Sequence, residues 1–226
     1  MRTMTREEAD KLFPKRNGLY YGTHEGKDYK YPSITGILGI EDKPFLTKWA
    51  CNKCVEIQAD NPSLGEGEAY KRHFNRDVVK AGERGTYIHN IAPKVIRGES
   101  YNQVVANEGY EKGLKKFVED FKPSIVFNER PLVSFEYAVG GTCDLGIKVG
   151  AEYWIVDLKT SKSIWLSAKI QLSFYGACLN EVGETFDSMK VIHLPGNGTY
   201  SLIDVDEDVE IVRAYRDIWQ LRKDRA

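Results

Sequence analysis

The sequence predicts a single α/β domain in which a mixed central sheet follows a helical N-terminal region. Between Ser33 and Pro123 apolar residues recur mostly at helical spacing, and after Pro123 they alternate with polar residues, as in strands. The 226 residues, 42% of them hydrophobic, are enough to bury one sizeable core. We therefore predict one domain over 1–226, with a hairpin and helical region at 1–122 and a sheet core at 123–226.

The N-terminal region is predicted to contain one hairpin and then a series of helices. Aromatic and polar residues alternate around Glu25 and Gly26, a pattern typical of a β-hairpin. Ser33 is the expected N-cap of a short helix, and Pro93 predicts a kink or an early stop in a later one. The expected helices span 6–13, 34–40, 44–57, 66–80, 84–96 and 103–121.

The sheet core is predicted to begin with an antiparallel meander. Three strands are expected at 124–139, 142–149 and 152–159, because the glycine-containing turns between them are short. A helix at 163–179 and strands at 189–195 and 198–205 follow. A final helix at 206–222 begins with acidic residues and ends with basic ones, which suits the helix dipole.

Composition limits the classes of function. The net charge of −1 excludes a strong overall basic field, so any nucleic-acid site is expected to be a local groove. No apolar run of about 18 residues and no charged-then-apolar leader occurs, so we expect a cytoplasmic protein without a membrane span. Four irregularly spaced cysteines indicate reduced thiols rather than a disulfide framework.

The segment W-I-V-D-L-K at 154–159 carries the main functional signal. Asp157 and Lys159 share one face of an otherwise apolar strand, where burying an acid and an amine costs free energy unless they are paired or bind a metal. Asp144 in the preceding strand is expected to converge with them, and Glu129 can join from the first strand. Cys143, Leu145, Ile147 and Val149 are expected on the face opposite Asp144.

Clustered carboxylates repel one another, and a divalent cation is the usual way to offset this repulsion. Oxygen ligands favour Mg²⁺ or Mn²⁺. Such an ion neutralises phosphate oxygens and lowers the pKa of a bound water, while a nearby ammonium group stabilises developing charge. The residue types therefore indicate phosphodiester hydrolysis.

Five motifs in order resemble those of the PD-(D/E)XK nuclease superfamily, specifically its RecB-type exonuclease branch, which includes phage-type exonucleases and mitochondrial genome maintenance exonucleases. They extend over residues 31–175. In chain order they are Y-P-S-I-T-G-I-L at 31–38, R-G-T-Y-I-H at 84–89, G-T-C-D at 141–144, D-L-K at 157–159 and Q-L-S-F-Y at 171–175. Any one motif is weak evidence, but five in this order are specific.

The resemblance implies a restriction-endonuclease-like αβββαβ core. It also implies a Mg²⁺- or Mn²⁺-dependent deoxyribonuclease, most readily an exonuclease of recombination, DNA repair or genome processing, and favours a phage or bacterial source. Some relatives hold an iron–sulfur cluster with three cysteines near the C-terminus. No cysteine follows Cys178 here, so no cluster is expected.

The resemblance also implies roles for particular residues. Lys159 would be the catalytic amine, and Glu129 would be the family's further acidic residue, although Pro131 and the nearby Glu136 leave its register open. Gln171 and Tyr175 share a helix face and would contact the substrate strand or orient Lys159. The implied metal ligands are His89, Asp144, Asp157 and the carbonyl of Leu158.

Each signal also has a structural alternative. Asp157 and Lys159 could form a surface ion pair on an edge strand, and His89 could be a core histidine. Tyr175 could serve packing alone. Cys51 and Cys54 have zinc-knuckle spacing without a second ligand pair, and Cys143 and Cys178 suit core thiols. A set of basic residues fits either a solvated helix face or the flank of a DNA groove: Lys71, Arg72, Arg76, Lys80 and Arg84.

Two other functions remain open at this point. One is a protein that captures DNA on a nuclease fold without cleaving it. The other is a structure-specific endonuclease or an RNA-directed nuclease. Protein partners cannot be inferred from the motifs.

Overall fold

The computed structural model describes residues 15–24, 26–40 and 44–225, so the helix predicted at 6–13 lies outside the described residues. The first elements form a three-stranded sheet of β1 (Lys15–Arg16), β2 (Leu19–His24) and β3 (Lys27–Pro32). β2 and β3 pair antiparallel from Leu19–Pro32 to His24–Lys27, which confirms the predicted hairpin.

Five α-helices follow: α1 (Ile34–Leu38), α2 (Pro44–Asp60), α3 (Glu66–His73), α4 (Lys80–Arg97) and α5 (Glu108–Phe121). The Ser33 hydroxyl accepts a hydrogen bond from the Gly36 amide at 3.1 Å, which confirms the predicted N-cap. A π-helical segment, Phe74–Val79, joins α3 to α4. The two helices predicted at 66–80 and 84–96 are therefore one continuous helical run.

Pro93 lies inside α4, one turn after His89, yet the helix continues to Arg97. Of the two alternatives predicted at Pro93, a kink or an early stop, the early stop does not occur. Proline lacks the N–H that would bond the His89 carbonyl, which costs stability in a helix interior. Burial of the face that carries Ile88, Ile91 and Ala92 offsets this cost.

The central sheet has five strands in the order in which they occur in the chain: β4 (Ser124–Ser134), β5 (Val139–Val149), β6 (Glu152–Lys159), β7 (Ser188–His193) and β8 (Ser201–Val205). β4, β5 and β6 form the predicted antiparallel meander. β6 pairs parallel with β7 after a crossover through α6 (Leu166–Glu181), and α7 (Val209–Asp224) closes the order. The predicted α/β class with a mixed central sheet is confirmed.

Helices cover both faces of this sheet. Residues of α1, α6 and α7 pack with Ile155 and Val191 in one buried cluster. Residues of α4 and α5 pack with Leu145 and Val156 in a second buried cluster. β6 is the central strand, so the alternative of an edge-strand ion pair for Asp157 and Lys159 is wrong.

Candidate active site and metal centre

The site forms where β5 and β6 stop pairing. Their ladder runs from Val149–Glu152 to Leu145–Val156, and beyond it the Asp144 carboxylate accepts a hydrogen bond from the Leu158 amide at 2.8 Å. Asp144 is only 7% exposed. A buried acid thus occupies the gap between two diverging strands.

The same divergence corrects one expectation about β5. Cys143 packs in the cluster with Ile155, whereas Leu145 and Ile147 pack in the cluster on the other face of the sheet. The prediction that Cys143 shares a face with these two residues is wrong, because strict alternation does not continue past the end of the β5–β6 ladder. Cys143 and Cys178 are both buried thiols, as expected of core cysteines.

Glu129 reaches the site through an unusual backbone conformation. Its φ of +48° lies in the left-handed region, which a non-glycine residue inside a strand rarely adopts. Asn128 pairs with Leu145 and Arg130 with Cys143, so Glu129 lies beside Asp144 in the ladder. This placement closes the question of its register, and Glu136 instead contacts Arg213 at 3.1 Å.

His89 extends from α4 to the same place. Its Nδ1 lies 3.4 Å from Glu129 Oε1 and 3.5 Å from Asp144 Oδ1, and its Nε2 lies 3.1 Å from the Leu158 carbonyl oxygen. The side chain keeps 26% of its surface exposed and faces carboxylates. These contacts argue against the alternative of an apolar core histidine.

His89, Glu129 and Asp144 can hold a divalent metal ion together. Each offers one ligand atom, and these atoms lie within 4.8 Å of one another. One imidazole nitrogen and two carboxylate oxygens form a donor set that suits a divalent cation. Asp157 lies outside this triad, so the structure groups Glu129, rather than Asp157, with His89 and Asp144.

Asp157 instead pairs with Lys159 on β6. Asp157 has no exposed surface, and its two oxygens lie 2.9 and 2.6 Å from Lys159 Nζ. Burial works to lower the pKa of Lys159, but the charges of Asp157 and Asp144 and a hydrogen bond to Asp157 raise it above its ordinary value. Lys159 therefore remains an ammonium group despite its burial.

Gln171 and Tyr175 on α6 form a chain of polar contacts that begins at Lys159. Gln171 Oε1 lies 3.4 Å from Lys159 Nζ, and Gln171 Nε2 donates to the Tyr175 hydroxyl at 2.7 Å. Tyr175 is 1% exposed, so it lies beneath Gln171 rather than on a surface that a substrate reaches. A side chain on Gly141 would approach Tyr175 Cε1 to 2.5 Å, so glycine makes room for this ring.

Burial and neighbouring charges both shift the pKa values of Asp144 and His89. Burial and the neighbouring Asp157 raise the pKa of Asp144 to about 7, against the opposing charges of His89 and Lys159. Burial works to lower the pKa of His89, but its hydrogen bond to Glu129 and the charges of Asp144 and Asp157 raise it to about 9. The cluster thus favours the binding of a cation, whether a proton or a metal ion.

Two supporting contacts were not apparent from the sequence. Arg130 binds Glu184 through two hydrogen bonds of 2.8 and 2.6 Å, next to the strained Glu129. The Tyr20 hydroxyl lies 2.9 Å from the Thr142 hydroxyl and ties the hairpin to β5. The two partners are 54 residues apart in the first contact and 122 in the second, so no local sequence pattern could have predicted either contact.

No family model matches the chain, and no curated protein sequence matches it. Among solved structures, the crystal structure of SSO0001 is 14% identical, with a TM-score of 0.40, over 76% of this chain and 70% of that one. An alkaline exonuclease, LHK-Exo from Laribacter hongkongensis, is 12% identical, with a TM-score of 0.36, over 63% of this chain and 80% of that one.

A likeness this distant establishes neither a family nor an activity for this chain. No helix among the described residues combines the length and the apolar character that a membrane span requires.

Proposed function

We propose that this chain is a metal-dependent nuclease that hydrolyses phosphodiester bonds in DNA, as a member of the RecB-type branch of the PD-(D/E)XK superfamily. One observation carries the proposal. His89, Glu129 and Asp144 converge beside the buried Asp157–Lys159 pair, although these residues come from α4 and three different strands. The motif order in the sequence supports the same conclusion.

His89, Glu129 and Asp144 would hold the cation, Mg²⁺ or Mn²⁺. Asp157 and the Leu158 carbonyl remain proposed ligands from the motif, and Leu158 is already within hydrogen-bond distance of His89. A bound divalent cation supplies positive charge and Lewis acidity to the phosphate that is attacked.

Lys159 would act as a charged donor. In the metal-free site the charges of Asp157 and Asp144 hold the pKa of Lys159 above its ordinary value, so the side chain carries an ammonium group. It can donate hydrogen bonds to a phosphate oxygen and to the attacking water, and so stabilise charge that develops in the transition state. Gln171 would hold the ammonium in position, and Tyr175 would hold Gln171.

The motif resemblance favours attack from a DNA end, in recombination, repair or genome processing in the cytoplasm of a bacterial or phage-infected cell. The test is cleavage of end-labelled linear and circular DNA, single- and double-stranded, with Mg²⁺, with Mn²⁺ and with a chelator. Metal-dependent loss of linear DNA with circles spared is expected, and it should be absent in Lys159→Ala, Asp144→Ala and Asp157→Ala.

Lys148→Ala is the matched control, because Lys148 is an exposed lysine at the other end of β5. This variant should cleave DNA as the wild type does. If folded wild type binds DNA but cleaves none of the substrates with either metal, the chain captures DNA without hydrolysing it and the nuclease proposal fails.

A further inference from the structure

Arg84 is a cation without a carboxylate partner beside the proposed active site. Its guanidinium carbon lies over the Tyr110 ring, 4.8 Å from the ring centre, and its Nη2 makes a long 3.4 Å contact with the carbonyl of Thr160, the residue after Lys159. Its Nε is buried and has no hydrogen-bond partner. A half-buried, incompletely satisfied guanidinium favours an anionic ligand.

Further cations follow Arg84 back along the same helical run. Lys80 and Arg72 lie four and twelve residues before it, and both are exposed. In the part of the chain that the structure describes, no carboxylate lies within 4.0 Å of the charged groups of Arg72, Lys80 or Arg84. Arg76 differs, because Asp77 holds it at 2.8 Å.

The π-helical segment Phe74–Val79 lies among three cations of this helical run that share one cavity, Arg72, Arg76 and Lys80. In an α-helix, residues four apart are offset by about 40° around the helix axis. Arg72 and Arg84 are three such steps apart, so a regular α-helix would offset them by about 120°. A π-helical turn contains more residues and opposes this rotation. Arg72, Arg76 and Lys80 accordingly line one cavity of about 630 Å³ between the end of α2 and this helical run.

Other residues of the cavity are compatible with a phosphate backbone. Asn61 and Asn75 contribute amide groups, and among the described residues Asp60 is the one carboxylate in a lining that holds three cations. From Arg72 to Arg84 the helical run extends about 18 Å, which corresponds to roughly five nucleotides at the axial spacing of one duplex strand. The row therefore has the length and charge to follow a polynucleotide.

We infer that Arg72, Lys80 and Arg84 bind phosphates along one nucleic-acid strand that leads to the metal centre. This inference rests on the proposed nuclease function and adds a second binding region to it. Arg84 would hold the phosphate nearest to the cluster, while Lys80 and Arg72 would hold the strand farther away. This row of three cations would determine the affinity for the strand, and the residues of the metal centre would determine the chemistry.

The test is binding measured by fluorescence anisotropy in a chelator, so that no cleavage occurs. The probes are a labelled trinucleotide, a single strand of about twenty nucleotides and the matching duplex, each titrated at several salt concentrations. The variants are Arg72→Gln, Lys80→Gln and Arg84→Gln. Lys94→Gln is the control, because Lys94 is an exposed cation near the far end of α4.

Each variant of Arg72, Lys80 or Arg84 to Gln is expected to weaken binding of the long strand by about three- to tenfold. The slope of log affinity against log salt concentration, the salt slope, should become less steep by about 0.7 for single strands. Arg72→Gln and Lys80→Gln should leave trinucleotide binding unchanged. Arg84→Lys should retain the wild-type slope, which separates loss of charge from a folding defect at Arg84. Melting curves check the fold of every variant.

Row variants whose salt slopes equal those of wild type and Lys94→Gln would overturn the inference, even if DNA cleavage is normal. Conversely, a wild type that binds through the row but never cleaves with Mg²⁺ or Mn²⁺ would contradict the nuclease function alone. The two failures are therefore distinguishable.

Discussion

The hydroxyl of Tyr175 acts on Lys159 only through Gln171, since Tyr175 itself is buried. Tyr175→Phe removes this hydroxyl and keeps the ring that packs beside Gly141. We expect kcat to fall about three- to tenfold, the effect of one modest hydrogen bond, while KM stays nearly constant. Single-turnover cleavage at saturating DNA measures the change.

Tyr153→Phe is the control for that substitution. The Tyr153 hydroxyl is also buried, but it has no hydrogen-bond partner among the described residues. Its removal should leave kcat unchanged and should not lower stability. An equal loss of kcat in both variants would remove Tyr175 from the positioning of Lys159.

The charges of the metal-free site predict how stability depends on pH. The folded-state pKa of Asp144 is about 7, above its ordinary 3.8, and that of His89 is about 9, above 6.5. A group whose pKa rises on folding stabilises the protein below its unfolded pKa and loses that contribution as pH rises through the folded value. The metal-free protein should therefore lose on the order of a few kcal/mol from about pH 4 to about pH 9.

Urea unfolding in a chelator across this pH range tests the prediction. Asp144→Asn keeps an oxygen that can accept the Leu158 amide but cannot ionise, so its stability should fall less between about pH 4 and about pH 7. Asp206→Asn, at an exposed carboxylate, should follow the wild type. An unaltered profile in Asp144→Asn would contradict the raised pKa of Asp144.

For single residues, the sequence predicted the Asp157–Lys159 pair, because side chains two residues apart in a strand lie on the same face. It left the position of Glu129 open, because that position depends on a left-handed backbone that no pattern of residue types reveals. The same backbone conformation places Glu129, rather than Asp157, with His89 and Asp144 in the candidate metal site.

At the scale of elements, the backbone of β4 is strained at Glu129, whose φ is positive. Glu129→Gly should relieve the left-handed conformation, which contributes about 0.5–1 kcal/mol to stability in a chelator, while loss of the contact with His89 offsets part of this gain. The same change removes a proposed ligand, so metal affinity should fall. Calorimetric titration with Mn²⁺ and urea unfolding measure the two effects.

Ala138 offers a matched control, because its φ is +52° in the turn between β4 and β5. Ala138→Gly should give a similar gain in stability with unchanged metal affinity. If Glu129→Gly also leaves metal affinity unchanged, Glu129 is not a ligand.

Helix boundaries show what local sequence determines at the scale of elements. Ser33 predicted the start of α1, since an N-cap acts through neighbouring backbone groups. Pro93 left a kink or an early stop open within the helix predicted at 84–96, and α4 continues because burial against the sheet outweighs one lost hydrogen bond. Tertiary packing of this kind has no counterpart in a local pattern.

For the whole molecule, the predicted division into 1–122 and 123–226 has a testable consequence. α4 supplies Ile88, Ile91 and Ala92 to the cluster that covers one face of the sheet, and it also supplies His89. A fragment of residues 123–226 would expose that face, so we expect it to lack cooperative unfolding and near-ultraviolet circular dichroism. A fragment with a sharp thermal transition would show that the sheet core is an independent domain.

The order of elements was predictable because hydrophobic periodicity changes clearly at Pro123. The docking of the hairpin was not, since it depends on Tyr20 filling the space above Gly140, 120 residues away in the chain. Long-range packing of this kind follows from shape, which composition and spacing do not encode.

Pro93 gives α4 a property that a regular helix would lack. The carbonyl of His89 has no amide donor one turn ahead, so the hydrogen-bond ladder is open at the residue that reaches the metal centre. The peptide that joins His89 to Asn90 is therefore held in the helical ladder through its N–H alone. We expect α4 to bend more easily here than in a regular helix, at the residue that we propose as a metal ligand.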